Sequence, residues 1–170
     1  MKQIIFQAIP VIVLITHIVL IALGTCLLNK KLRKIIFNFA KKQKNKIFLV
    51  ISATAMSGSL FYSEIMGYTP CPLCWLQRVA IFPIVVLSIV AIKYKDKNSE
   101  RYILPMAGIG LLLSGYHYIS QFFVNNTTLC LVGAVNCSQR ITMHFNYISI
   151  PLMAFTICLM IILTIIFTRK

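Results

Sequence analysis

Cys71 and Cys74 stand two residues apart in the run Thr69-Pro70-Cys71-Pro72-Leu73-Cys74-Trp75-Leu76-Gln77-Arg78, a spacing at which two thiols can close a disulfide. Pro70 and Pro72 donate no backbone hydrogen bond, which suits them to the extended or first-turn positions where a helix begins. Cys74 then falls near the positive end of that helix, and Arg78, four residues on, shares its face. Both effects favour the thiolate, so Cys74 is expected to have a lowered pKa and to be the better electron donor or leaving group. Cys71, outside the helix, is expected to be exposed for thiol exchange. Covalent haem attachment is excluded, because Trp75 rather than histidine follows Cys74.

The elements that must position this pair are membrane helices. Hydrophobic residues make up 59% of the 170 residues, and only three carboxylates occur, Glu64, Asp96 and Glu100. That is far from the balance of a water-soluble domain. A span needs roughly 20 apolar residues, and five segments qualify: Ile4–Leu28, Ile47–Tyr68, Trp75–Ile92, Tyr102–Phe123 and Ile148–Phe167. The first is too long for a signal peptide and carries no evident cleavage site. Small residues in Ser57-Gly58-Ser59 and Gly108-Ile109-Gly110 would allow close helix contacts.

The net charge of +14 could suggest a nucleic-acid partner, but the basic residues are placed otherwise. Fourteen of the 17 lysines and arginines cluster at 30–46, at 93–101 and at the C-terminus. The positive-inside rule sends all of these to the cytoplasm. The N-terminus and both cysteine-bearing loops then face outward and the C-terminus inward. Residues 34–41 mix lysines with apolar side chains and could lie in the headgroup layer against anionic lipid, or serve only as a connector. The division expected is residues 1–46, an N-terminal span with a basic cytoplasmic loop, and residues 47–170, a four-helix redox unit.

A second cysteine pair, Cys130 and Cys137, lies between Val124 and Tyr147, a stretch too broken to span. Four outward cysteines allow three readings. Zinc ligation is disfavoured where thiols oxidise. Structural stapling is the ordinary role of exported cysteines. The placement of the first pair at a helix start, with a cation one turn away, favours redox chemistry. Cys26 and Cys158 read as small apolar fillers within spans.

Cys71-x-x-Cys74-x-x-x-Arg78, followed by further spans, a second outward cysteine pair and His117-Tyr118-Ile119-Ser120-Gln121, resembles the disulfide-bond formation protein B family of bacterial membrane thiol oxidases. The short Cys130 to Cys137 spacing and Trp75-x-Gln77-Arg78 look more like its BdbC branch. The resemblance runs from about Ile47 to the C-terminus and leaves the first span as a departure from a four-helix plan. It implies an all-α membrane protein, a four-helix bundle with one additional N-terminal helix, in the bacterial cytoplasmic membrane. It also implies a relay in which a reduced extracytoplasmic thioredoxin-fold oxidase attacks a Cys130–Cys137 disulfide, Cys137 attacks Cys71, and Cys74 leaves toward a bound quinone, ubiquinone or menaquinone. The periplasmic relay of this kind is a known system. Arg78 and His117 carry over as quinone neighbours, and no metal is implied; His17 and His144 show no partner spacing. Two competing readings remain. One is a vitamin-K-epoxide-reductase-like quinone reductase, in which the loop cysteines would come first in sequence. The other is a non-enzymatic scaffold or transporter with structural disulfides.

Overall fold

The computed structural model describes residues 2–26, 29–123, 137, 143, 145 and 147–169. Cys130 and His144 therefore lie outside the described residues. Five helices follow one another: α1 (Lys2–Cys26), α2 (Lys30–Leu60), α3 (Pro72–Lys93), α4 (Glu100–Phe123) and α5 (Ile150–Arg169), and α2 runs on into a π-helical turn, Phe61–Ile65. Four stretches, Lys31–Ile65, Pro72–Lys93, Glu100–Phe122 and Ile150–Arg169, are long and apolar enough to cross a membrane, and a shorter apolar stretch, Phe6–Ala22, sits in α1. The chain is a multi-pass, all-α membrane protein.

Helices α2 to α5 form a ring in which each meets its sequence neighbours and α5 closes on α2. Helix α1 touches α2 only narrowly. Apolar side chains such as Val79, Val86, Leu112 and Ile166 are exposed around the ring, as a lipid-facing surface requires. Several buried hydroxyls are satisfied inside their own helices. Ser52 donates to the Phe48 carbonyl at 2.7 Å, Ser114 to Gly110 at 2.7 Å and Thr168 to Thr164 at 2.8 Å. This back-bonding to the preceding turn is how a hydroxyl survives without water.

The basic stretch expected as a loop is helical instead. Asn29 caps α2 by accepting from the Lys31 amide at 3.1 Å, and lysines, leucine, alanine and glutamine then continue the helix without a breaker. At this basic end Lys44 pairs with Glu100. Asn45 donates to the Asp96 carbonyl at 2.8 Å and accepts from Ser99 at 2.5 Å, tying the α3–α4 connector to α2. Asp96 is held below the usual carboxylate range, first by the Asn98 amide and then by the Tyr102 hydroxyl.

At the other end, Gly67 turns the chain from the π-helical segment toward α3 with φ +73°, a backbone region open to glycine without strain. The small-residue expectation holds at only one place. A Cβ on Gly110 would meet the Cys158 sulfur at 2.8 Å, whereas Gly58 and Gly108 have open space. Cys158 is fully buried on α5, as a filler against the bare α4 backbone. Gly110→Ala is accordingly expected to lower the midpoint of thermal unfolding, with a loss on the order of 1–3 kcal/mol from overpacking. Adding Cys158→Ala should restore most of it. Equal losses in the single and double variants would show that the sulfur is not what Gly110 accommodates.

Candidate active site

Helix α3 begins where the first cysteine pair needs it to begin. Pro72 occupies the first turn, and Cys71 is the N-cap, with extended backbone (φ −73°, ψ 166°) and a sulfur that accepts the Cys74 amide at 3.4 Å. The two sulfurs lie 3.1 Å apart as free thiols. Capping reverses the hydrogen bonding and the burial expected from the sequence. Cys71, not Cys74, receives the helix-terminal N–H, and it is 5% exposed rather than open to solvent, while Cys74 is half-buried. Leu73, Cys137 and His117 pack around Cys71, so the residue outside the helix is the more enclosed of the two.

Helix α4 supplies His117 to the same spot. Its Nε2 lies 3.8 Å from the Cys71 sulfur and 3.2 Å from the Cys137 carbonyl oxygen, and its Nδ1 is 3.1 Å from the Gln77 amide nitrogen. With Gln77 donating to Nδ1, the ring proton sits on Nε2 and is directed at the thiol and the carbonyl. The Cys71 thiol is pulled down to about 4, first by its hydrogen bond with Cys74 and then by His117, against the opposing effect of burial. Cys137 is disulfide-bonded and packs with Cys71 and Leu73 in one buried cluster, against which Cys74 lies partly buried. The structure therefore brings Cys71, Cys74, His117 and Cys137 together.

Arg78 is nearby but engaged differently from expectation. Its Nε donates to the Ser59 hydroxyl at 3.0 Å and an Nη to the Ser59 carbonyl at 3.1 Å, and its guanidinium lies over the Trp75 and Phe82 rings at 5.1 and 5.9 Å. No hydrogen bond joins Arg78 to the Cys74 sulfur among the described contacts. These two donors are spent on fixing the group, and the planar guanidinium has five. Arg78, His117, Cys71 and Cys74 all line one cavity of about 800 Å³, which runs between α1, α2, α3 and α5, with His117 and Gln121 of α4 at its cysteine end. Ser59, Gln77 and Tyr62 also belong to the site; the sequence offers Ser59 only as a small residue for helix contact and Gln77 only as part of the Trp75-x-Gln77-Arg78 motif, and Tyr62, an ordinary polar side chain in a span, carries no motif.

Cys71, Cys74 and His117 also place their ligand atoms within 4.8 Å of one another. Such a trio could hold a metal ion, although a structural zinc site takes four protein ligands.

The model of the family described as disulfide bond formation protein DsbB matches residues 42–168. The chain belongs to the DsbB family. Its relatives include a probable disulfide formation protein of Oceanobacillus iheyensis, 44% identical over 119 residues, covering 67% of this chain and 81% of the relative. Disulfide bond formation protein C of Bacillus subtilis is 37% identical over 116 residues, covering 67% and 83%. The SPbeta prophage-derived disulfide bond formation protein B of the same organism is 34% identical over 116, covering 68% and 78%. No solved structure matches the chain. Within the DsbB-like segment lie the whole of α3 and α4, so the capped cysteine and His117 both fall inside it, whereas α1 falls outside. Membership makes the protein a disulfide oxidoreductase acting in disulfide bond formation, and its buried dithiol is the group suited to that chemistry.

The depressed pKa of Cys71 gives a pH test. Ionised Cys71 stabilises the reduced protein at neutral pH, and this contribution is lost as pH falls through about 4. Thiolate absorbance of the reduced pair is expected to titrate near that value, and His117→Ala should move the midpoint upward. A midpoint near the ordinary thiol value of about 8.5 in the parent protein would contradict the capped geometry.

Proposed function

We propose that the protein is a thiol:quinone oxidoreductase of the bacterial cytoplasmic membrane, with its cysteine end facing outward. In this reading it takes electrons from a reduced extracytoplasmic thioredoxin-fold oxidase through two cysteine pairs. The observation that carries it is the placement of the Cys71–Cys74 pair at the mouth of an apolar cavity, in one buried cluster with disulfide-bonded Cys137. The orientation rests on the basic clusters, which lie at the end of the bundle away from the cysteines. The names of the relatives, disulfide formation proteins of Bacillus and Oceanobacillus, support the same reading.

The cavity suits a quinone. Its volume of about 800 Å³ is in the usual range for a small-molecule site, and its walls are mostly apolar, with Arg78, Gln77 and His117 gathered beside the cysteines. The Tyr62 hydroxyl lines it, is buried, and has no hydrogen-bond partner among the described residues. A buried hydroxyl left this way is unfavourable unless something accepts from it, and a carbonyl oxygen would. Arg78, pinned by Ser59, and His117, pinned by Gln77, supply fixed donors at the same end. A quinone held there would take up two electrons and two protons.

The exchange steps belong to the cysteines. A partner thiolate attacks Cys130, the Cys130–Cys137 bond breaks, and Cys137 leaves as a thiolate. Cys137 then attacks Cys71, forming Cys71–Cys137 and breaking Cys71–Cys74, with the electron pair going to Cys74. The partner's second thiol resolves its bond to Cys130, completing the partner's own disulfide. Cys130 next attacks Cys137, which restores Cys130–Cys137 and frees Cys71. The result is a dithiol at Cys71 and Cys74 beside a disulfide at Cys137, the arrangement of thiols and disulfide described above. His117 contributes by holding the Cys71 thiolate that departs in the last step.

This order of attack can be trapped. With Cys137→Ala the resolving thiol is gone, and a mixed disulfide between Cys130 and the partner is expected to accumulate on non-reducing gels. Cys130→Ala should abolish that species. Partner oxidation at the parental rate in both variants would reduce the second pair to a staple.

A further inference from the structure

Helix α1 lies outside the segment shared with the DsbB family, yet it forms a wall of the cavity. Ile9, Ile12, Val13 and Thr16 line it, at the i, i+3, i+4, i+7 spacing of one helical face. That face is fastened at two levels. Near the cysteine end, the Phe6 ring meets Tyr62 and Tyr68 edge-on, with centroids 6.0 and 6.5 Å away. Eleven residues further along, His17 Nε2 lies 2.8 Å from the Thr156 hydroxyl of α5. Thr156 donates its own proton to the Leu152 carbonyl at 2.9 Å, so the histidine is the donor.

Between these fastenings α1 stands away from the ring. Ile12, on the lining face, is 56% exposed, and contact with α2 is narrow. The space left open is a slot continuous with the cysteine site. Its α2 wall runs from Ser59 back to Val50, nine residues or about 14 Å of helix. Its deeper walls are Val50, Ala53, Ala154 and Ile157, all apolar. The hydroxyls that line it away from the cysteines, Thr16, Thr54 and Thr156, donate to the backbone of their own helices, and the charged, amide and imidazole side chains stay at the cysteine end.

We propose that α1 roofs a tail-binding slot, which takes the polyprenyl chain of the quinone whose ring sits at the cysteines, so that the protein prefers long-tailed quinones to tail-less ones. This inference rests on the quinone reading above. A slot whose charged, amide and imidazole groups lie at the redox end, and whose remaining hydroxyls are spent within their own helices, matches a molecule with a polar ring and a long apolar chain, and α1 would hold that chain in line with the ring. Because lipid is as apolar as the slot, the gain comes from close packing and alignment rather than from escape from water.

The test uses the full-length protein in lipid nanodiscs, with binding followed by quenching of Trp75, the single tryptophan, next to Cys74. Each variant is compared with the parent for the same quinone, so differences in membrane partitioning cancel. Val13→Phe and Ile9→Phe, which fill the slot, are expected to weaken binding of a long-chain prenylated quinone about tenfold and leave the tail-less ring unaffected. His17→Ala, which unfastens α1, should act the same way. Ile21→Phe is the control, since Ile21 is 70% exposed and does not line the cavity. Retained binding of the tail-less ring reports that a variant is folded. Equal effects on both quinones, or none on either, would overturn the slot. Failure of the parent to bind any quinone would overturn the quinone reading itself.

Discussion

The hydrogen bond from the Cys74 amide to the Cys71 sulfur at the start of α3 is the interaction on which the site depends. A helix begins with N–H groups that its own backbone cannot satisfy, and in a membrane protein water is a poor substitute near the bilayer. Here a sulfur takes that place. The consequence is chemical as well as structural, because a group that accepts a helix-terminal N–H is favoured as an anion. Pro72 sets the helix start, Gly67 turns the chain into it, and the π-helical turn beyond α2 delivers Tyr62 and Tyr68 to the same end of the bundle.

Around that cap the remaining polar side chains are held in pairs. Gln77 orients His117, His117 reaches both Cys71 and the backbone of Cys137, and Ser59 holds Arg78. The Gln77–His117 and Ser59–Arg78 pairs each join two helices, so the packing of α2, α3 and α4 and the geometry of the site are one constraint. A shift of α4 against α3 would separate His117 from Gln77.

Much of this could be read from the sequence, because hydropathy and charge clustering act on whole segments. Three spans of the ring, α3, α4 and α5, match their expected positions closely, whereas α2 starts at Lys30, well before the expected Ile47, and the Cys71 to Arg78 motif marks the end of the bundle where the cysteines gather. What could not be read was decided by single contacts. Whether Cys71 or Cys74 takes the helix-terminal N–H depends on which residue is the cap, one position that spacing alone leaves open. Arg78 shares a face with Cys74 as expected, but Ser59, 19 residues earlier and on another helix, takes two of its donors. The basic stretch at 30–46 looked like a connector by charge, although its residues are good helix formers and its cap, Asn29, stands just ahead of it. Gly110 and Gly58 are indistinguishable as small residues, and only the position of Cys158 separates them. The lining face of α1 shows as a helical stripe only once the cavity beside it is known.

Coupling between the two chemistries is the central claim, and electron balance makes it measurable. Purified protein supplied with a reduced thioredoxin-fold partner and a quinone, with oxygen excluded, should reduce one quinone for each disulfide that appears in the partner. Replacing Cys71 or Cys74 should stop both together. Partner disulfides that accumulate without quinone reduction, or quinone reduction that continues without Cys74, would contradict the account.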